Sequence, residues 1–170
     1  KDLGLDFFNP AHHYQNPEDK IASGKNFVDN VTSGGYDKCS LVCYAGEQNI
    51  GKSIWLANDA SNFVRMGCNT AFITAEMKAS KVIKRIGANL LDITMAEYDA
   101  HSSDANYISR KLQHVGTGVM PPGKLFVKKF PTSQATVLDI ENYLRDVEET
   151  VGIKLNAIVI DYINILSNYR

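Results

Sequence analysis

Short apolar runs alternate along the chain with stretches in which apolar residues recur every three or four positions, the spacing of an amphipathic helix. Residues 40–45 (Ser-Leu-Val-Cys-Tyr-Ala) read as a buried strand leading straight into Gly46. Residues 51–66 have helical character and stop at Gly67, a natural C-cap. Residues 70–75 form a second strand, and 79–91 a helix with Val82, Ile83, Ile86 and Leu90 on one face. Thr94 with Glu97 makes a capping box, 106–115 looks helical, and 116–123 is a loop rich in Gly and Pro. Residues 124–130 are a third strand. Val137, Ile140, Leu144, Val147 and Val151 then mark an amphipathic helix, and 156–161 is a fourth strand, apolar almost throughout. Continuously apolar strands separated by helices predict a parallel sheet covered by helices on both faces, the α/β class.

Residues 1–20 break this pattern: they are polar, interrupted by Pro10 and Pro17, and read as a leader or linker ahead of one domain at 21–170. His12 and His13 lack partner spacing and read as solvated residues rather than ligands. The chain begins at Lys1 and stops nine residues past Asp161, so it is expected to be a fragment of something longer. No apolar run approaches the roughly 18 residues of a membrane span, and no signal peptide opens the chain. The formal charge of −1 gives no global basic field toward nucleic acid. Cys39, Cys43 and Cys68 form no CxxC pair and read as buried thiols of a reducing cytosol.

The candidate chemistry lies at strand ends. Gly46-Glu47-Gln48-Asn49-Ile50-Gly51-Lys52-Ser53 matches G-x-x-x-x-G-K-[ST] without a gap, between an expected strand and an expected helix. Chance yields this match on the order of once in a few hundred chains of this length. Glycines let backbone N–H groups turn toward phosphates, and a helix N-terminus adds partial positive charge. Lys52 is expected to neutralise the β- and γ-phosphates and Ser53 to ligate Mg²⁺. Asp161 closes the last strand at its C-terminal edge, where open parallel sheets bind ligands, and suits a carboxylate that holds Mg²⁺ through water. Glu76 follows the 70–75 strand onto that same edge, where a carboxylate can orient an attacking water. Trp55, on the helix after the loop, reads as core-facing, and Lys128 and Lys129 as a solvated strand end.

Ala75-Glu76-Met77, with Arg85-Ile86 and Asn89-Leu90-Leu91, resembles the DnaB-type replicative helicases, and more closely those of T-even-like phages. That resemblance also takes in Thr32-Ser33-Gly34-Gly35, Ala45-Gly46, Lys84-Arg85-Ile86-Gly87-Ala88-Asn89-Leu90-Leu91-Asp92, Phe126-Val127-Lys128, Phe130-Pro131-Thr132 and Val159-Ile160-Asp161-Tyr162. It runs from about Ile21 to the last residue. It implies a RecA-like P-loop NTPase core truncated after the Walker-B strand. In that core Lys52 and Ser53 are the Walker-A pair, Glu76 the catalytic glutamate, Asp161 the Walker-B aspartate and Arg85 a supporting residue. The implied cofactors are ATP, or another NTP, and Mg²⁺. The implied parent is a homo-hexameric motor that unwinds DNA, travels on single-stranded DNA and works with a primase in the cytoplasm, that of the host if phage-encoded. The family's sensor strand, DNA-contacting loops and arginine finger would lie beyond Walker B, and its primase-interacting region before residue 1. The alternatives are a truncated, non-enzymatic nucleotide-binding fragment and a recombinase-type RecA core.

Overall fold

The structure is a computed structural model that describes residues 4, 6, 8–13, 20–115, 120–132 and 135–162. The chain divides into two compact units, Lys1–Cys43 and Tyr44–Arg170.

The first unit holds a single 3₁₀ turn, Pro10–His13, and a small hairpin with a helix in its connection. Strand β1 (Lys20–Ile21) pairs antiparallel with β2 (Tyr36–Asp37), and α1 (Asn26–Val31) lies between them. Asp29 on α1 accepts the Ser23 N–H at 2.7 Å, and Lys20 Nζ reaches the Thr32 carbonyl at 2.9 Å, tying the helix to the hairpin. Gly35 makes the return possible. Its φ is 128°, and a Cβ there would stand 2.3 Å from the Ile21 carbonyl oxygen. His12 and His13 fall in the 3₁₀ turn, and their side chains lie outside the described residues.

In the second unit, α2 (Lys52–Arg65) leads into β3 (Thr70–Thr74), then come α3 (Ala79–Leu90), α4 (Met95–His101) and α5 (Ala105–Leu112). Strand β4 (Leu125–Lys129), α6 (Val137–Val151) and β5 (Ala157–Asp161) complete it. The sheet is parallel, in the order β4-β3-β5. Central β3 is buried at every residue, so both of its faces are covered. Ile73 packs with Phe130, Ala135 and Ile140, joined by Tyr143 and Leu144 of α6 and by Ile160. Phe72, one residue away and so on the opposite face, is fully buried too, and α2 and α3 pack on the sheet and on each other.

One residue aligns the strands where they start. Asn69 Oδ1 accepts the Lys124 N–H at 3.0 Å, its Nδ2 donates to the Lys154 carbonyl at 2.9 Å, and its backbone carbonyl takes the Asn156 N–H at 2.8 Å. Helix ends are fixed locally. Thr94 and Glu97 form the expected capping box on α4, and Thr136 with Asp139 forms another on α6. In the latter the Thr136 N–H and hydroxyl donate to Asp139 Oδ2 at 2.8 and 2.7 Å, which holds that carboxyl below its ordinary range.

Three expectations need correction. Residues 40–45 are not a strand: Leu41 is 86% exposed, and no strand among the described residues pairs with them. An apolar run makes a chain willing to extend, but a strand also needs a ladder partner. Cys39 and Cys43 are exposed rather than buried, in keeping with the missing strand, and Cys68 is half-buried. Ile83, placed on the core face of α3, is 45% exposed, because Val82 and Ile86 fill that face. Residues 116–119 of the expected loop lie outside the described residues. Among the described residues no helix is long and apolar enough to cross a membrane.

Candidate nucleotide site

The loop at 46–53 ends on the N-terminus of α2. Gly51 is the N-cap, at φ 96°, a left-handed conformation that costs glycine little, and Asn49 precedes it at φ 64°. No side chain caps this helix and no acidic residue lies in its first turn. Backbone hydrogen bonding resumes only at Ile54 and Trp55, whose N–H groups donate to the Gly51 carbonyl at 3.0 and 2.9 Å. Among the described residues, none of the N–H groups from Gly46 to Ser53 finds a protein acceptor. A loop with free donors at the positive end of a 14-residue helix is a built receptor for an anion.

Lys52 is the first residue of α2. Its ammonium donates to the loop's own carbonyls, Gly46 at 2.7 Å and Glu47 at 2.5 Å, so it curls back over the loop. Ser53 follows, half-buried. The segment before the loop is held by α2: Tyr44 donates its hydroxyl to Asp59 Oδ2 at 2.7 Å and meets the Trp55 ring edge-on at 5.8 Å. Trp55, expected to face the core, is 42% exposed and serves instead as a wall for Tyr44.

The other half of the candidate site is the C-terminal edge of the sheet. Asp161 stands opposite Thr74 in register, and the Ala75 N–H donates to the Asp161 carbonyl at 3.1 Å. The Asp161 side chain is 2% exposed, and its Oδ2 has no hydrogen-bond partner among the described residues. A buried carboxylate oxygen left without a donor costs on the order of 1–3 kcal/mol or more, so it is usually explained by a ligand, ion or water. Glu76 lies in the turn just past β3, exposed, with no ion pair or hydrogen bond to its carboxylate among the described residues. Arg85 on α3 turns its Nη1 to Met77 Sδ at 3.1 Å, beside the Glu76 turn and not to a carboxylate. Lys128 lies 5.5 Å from the Tyr143 ring centroid, a contact between segments that no local spacing could announce.

The donor set suits a hard cation bound to phosphate. Among the described residues no three His, Cys, Asp or Glu side chains gather where they could hold a metal ion by themselves. Mg²⁺ asks for less than that from the protein: one or two oxygen ligands, with phosphates and water completing its octahedron. The structure thus brings Glu76 and Asp161 to one sheet edge, and sets Lys52 and Ser53 on a helix that packs against β3 and β5.

Comparison with known proteins agrees with this arrangement. Residues 20–170 match the family described as "DnaB-like helicase C terminal domain". The chain belongs to that family. Over 158 residues it is 27% identical to the "DnaB-like replicative helicase" of Enterobacteria phage T4, a match that covers 92% of this chain and 33% of that protein. Its fold is similar to a solved helicase ATPase domain, with a TM-score of 0.52 at 16% identity, covering 73% of this chain and 43% of the other. The chain therefore spans about a third of the length of its phage relative. As a DnaB-like C-terminal domain it is the helicase part to which nucleotide binding belongs, on a RecA-like α/β fold.

Proposed function

We propose that this chain is the nucleotide-binding part of an ATP-driven replicative DNA helicase, with residues 21–170 as part of its ATPase domain and 1–20 as a linker. The observation that carries the reading is the buried, unpartnered Asp161 Oδ2 at the sheet edge that also presents Glu76. The free N–H groups of 46–53 take the phosphates of ATP or another NTP, and Lys52 exchanges its two carbonyl partners for phosphate oxygens. Mg²⁺, held by Ser53 Oγ and through water by Asp161, would draw charge from the β- and γ-phosphates. Glu76 orients water in line with the γ-phosphate, and Arg85 supports the turn that carries it. The same reading places the complete protein as a homo-hexamer on single-stranded DNA, served by a primase, in the cytoplasm of the cell that hosts it.

For the chain taken alone we infer binding with little turnover. The segment before the loop forms no strand, so the loop is held through Tyr44 and α2 rather than from within the sheet. Phosphate release well above a trace rate contradicts this second point. The first is tested by titrating the chain with a fluorescent, non-hydrolysable ATP analogue, with and without Mg²⁺, beside Lys52→Ala and Asp161→Asn. Saturable binding that needs Mg²⁺, is abolished by Lys52→Ala and loses its Mg²⁺ dependence in Asp161→Asn is expected. Binding indifferent to both substitutions, or none by the parent chain, overturns the assignment.

A further inference from the structure

The turn that carries Glu76 is held at more points than chain continuity requires. Its inner flank is Ala75, whose peptide is gripped on both sides: the N–H donates to the Asp161 carbonyl at 3.1 Å, and the carbonyl accepts the Thr132 hydroxyl at 2.7 Å. Its outer flank is Met77, whose N–H donates to Thr74 Oγ1 at 3.0 Å while the same hydroxyl lies 3.4 Å from the Met77 carbonyl. The Thr74 contact is a local side-chain turn that many strand ends make. The Thr132 contact is of another kind. Thr132 sits 57 positions further along, in the connection after β4, and reaches across the sheet edge to a strand it does not follow. Around it the Phe130 N–H donates to the Thr74 carbonyl at 2.9 Å, so the whole connection is laid alongside the end of β3.

We propose that Thr132 is a positioning residue for Glu76: by anchoring the Ala75 carbonyl it fixes the direction in which the next residue presents its carboxylate. The inference rests on the reading of Glu76 as the group that orients water. The physical case is that the Glu76 carboxylate has no partner of its own among the described residues, so its direction is set by the backbone at its flanks. An Ala75 carbonyl that can rotate turns the following peptide plane with it, and displacements below 1 Å at a reacting group matter for rate. Thr132 touches no reacting atom. Its effect therefore appears where Glu76 acts, in the geometry of the transferred phosphoryl group, and not in ground-state binding.

The test compares two probes on the full chain: a non-hydrolysable ATP analogue with Mg²⁺, and ADP with Mg²⁺ and aluminium fluoride, which mimics the phosphoryl group in transit. Thr132→Val keeps the branched shape and removes the hydroxyl, Thr132→Ser keeps the hydroxyl, and Glu76→Gln reports on the glutamate itself. Thr132→Val is expected to weaken the aluminium fluoride complex by about tenfold while leaving the ATP analogue unchanged. Thr132→Ser is expected to restore it, and Thr132→Val added to Glu76→Gln to give no further loss. Equal loss with both probes in Thr132→Val means a merely structural residue and overturns the proposal. So does an unaltered Thr132→Val beside a selective defect in Glu76→Gln. If Glu76→Gln itself shows no selective defect, the role assigned to Glu76 fails, and the role of Thr132 falls with it.

Discussion

The two halves of the candidate site are built in opposite ways. The 46–53 loop is held by short-range means: its lysine bonds to carbonyls five and six residues back, and its shape comes from residues at positive φ. The Glu76–Asp161 edge is held by long-range means, with a buried strand beneath it and contacts to segments tens of residues away. The loop is thus a self-contained receptor whose cation is stored on its own backbone until phosphate displaces it. The edge is a fixed platform whose geometry exists before any ligand arrives. Binding should depend on the first and correct placement on the second.

Damage to the platform should therefore register as lost stability, and damage to the loop as lost affinity. Phe72→Ala, at a fully buried position of β3, is expected to cost about 3–5 kcal/mol in urea unfolding, the largest effect here. A loss under about 1 kcal/mol would mean that β3 does not anchor the edge. Lys52→Ala should weaken nucleotide binding roughly 100-fold, about 2.7 kcal/mol, while leaving the urea midpoint in place. A shifted midpoint would show the loop to be part of the core after all. Asn69→Ala removes two side-chain hydrogen bonds at the far end of the sheet and should cost about 1–2 kcal/mol without a selective effect on nucleotide.

The smallest effect is local. Thr136→Ala removes the cap of α6, for about 1 kcal/mol, and with it a piece of the acid response. Hydrogen bonds from Thr136 depress the Asp139 carboxyl in the folded chain, so its contribution is complete above the ordinary value of 3.8 and is lost as pH falls through the lower folded value. Unfolding measured across that window should show the parent losing more stability on acidification than the variant. Equal losses would remove Asp139 from the account.

What the sequence made legible follows the same division. The helix after the loop, the 70–75 strand, the Thr94–Glu97 box and the amphipathic helix from Val137 were readable because each rests on local spacing or on a cap within three residues. The positions of Lys52, Ser53, Glu76 and Asp161 at helix start and strand ends were legible for the same reason. Two-residue strands at Lys20 and Tyr36 leave no periodicity to read, and only the Gly34-Gly35 pair hinted at a turn. Residues 40–45 had the composition of a strand, but composition cannot supply the neighbour. Nor could any spacing rule have shown that Thr132 returns to Ala75, or that Tyr44 leans on Trp55 and Asp59. Those contacts exist only once separate segments are stacked.

The clamp at Asn69 also makes the sheet a ruler. Strands β3, β4 and β5 are zeroed against one another at that residue, and each is five residues long, so Asp161 and Lys129 arrive level with Thr74 by counting alone. Extra residues in the connections, before the zero mark, change nothing at the reading end. A single residue inserted between Asn156 and Asp161 moves the carboxylate by about 3.3 Å and turns it to the other face of the sheet. Length variation should therefore be tolerated between these strands and excluded within them.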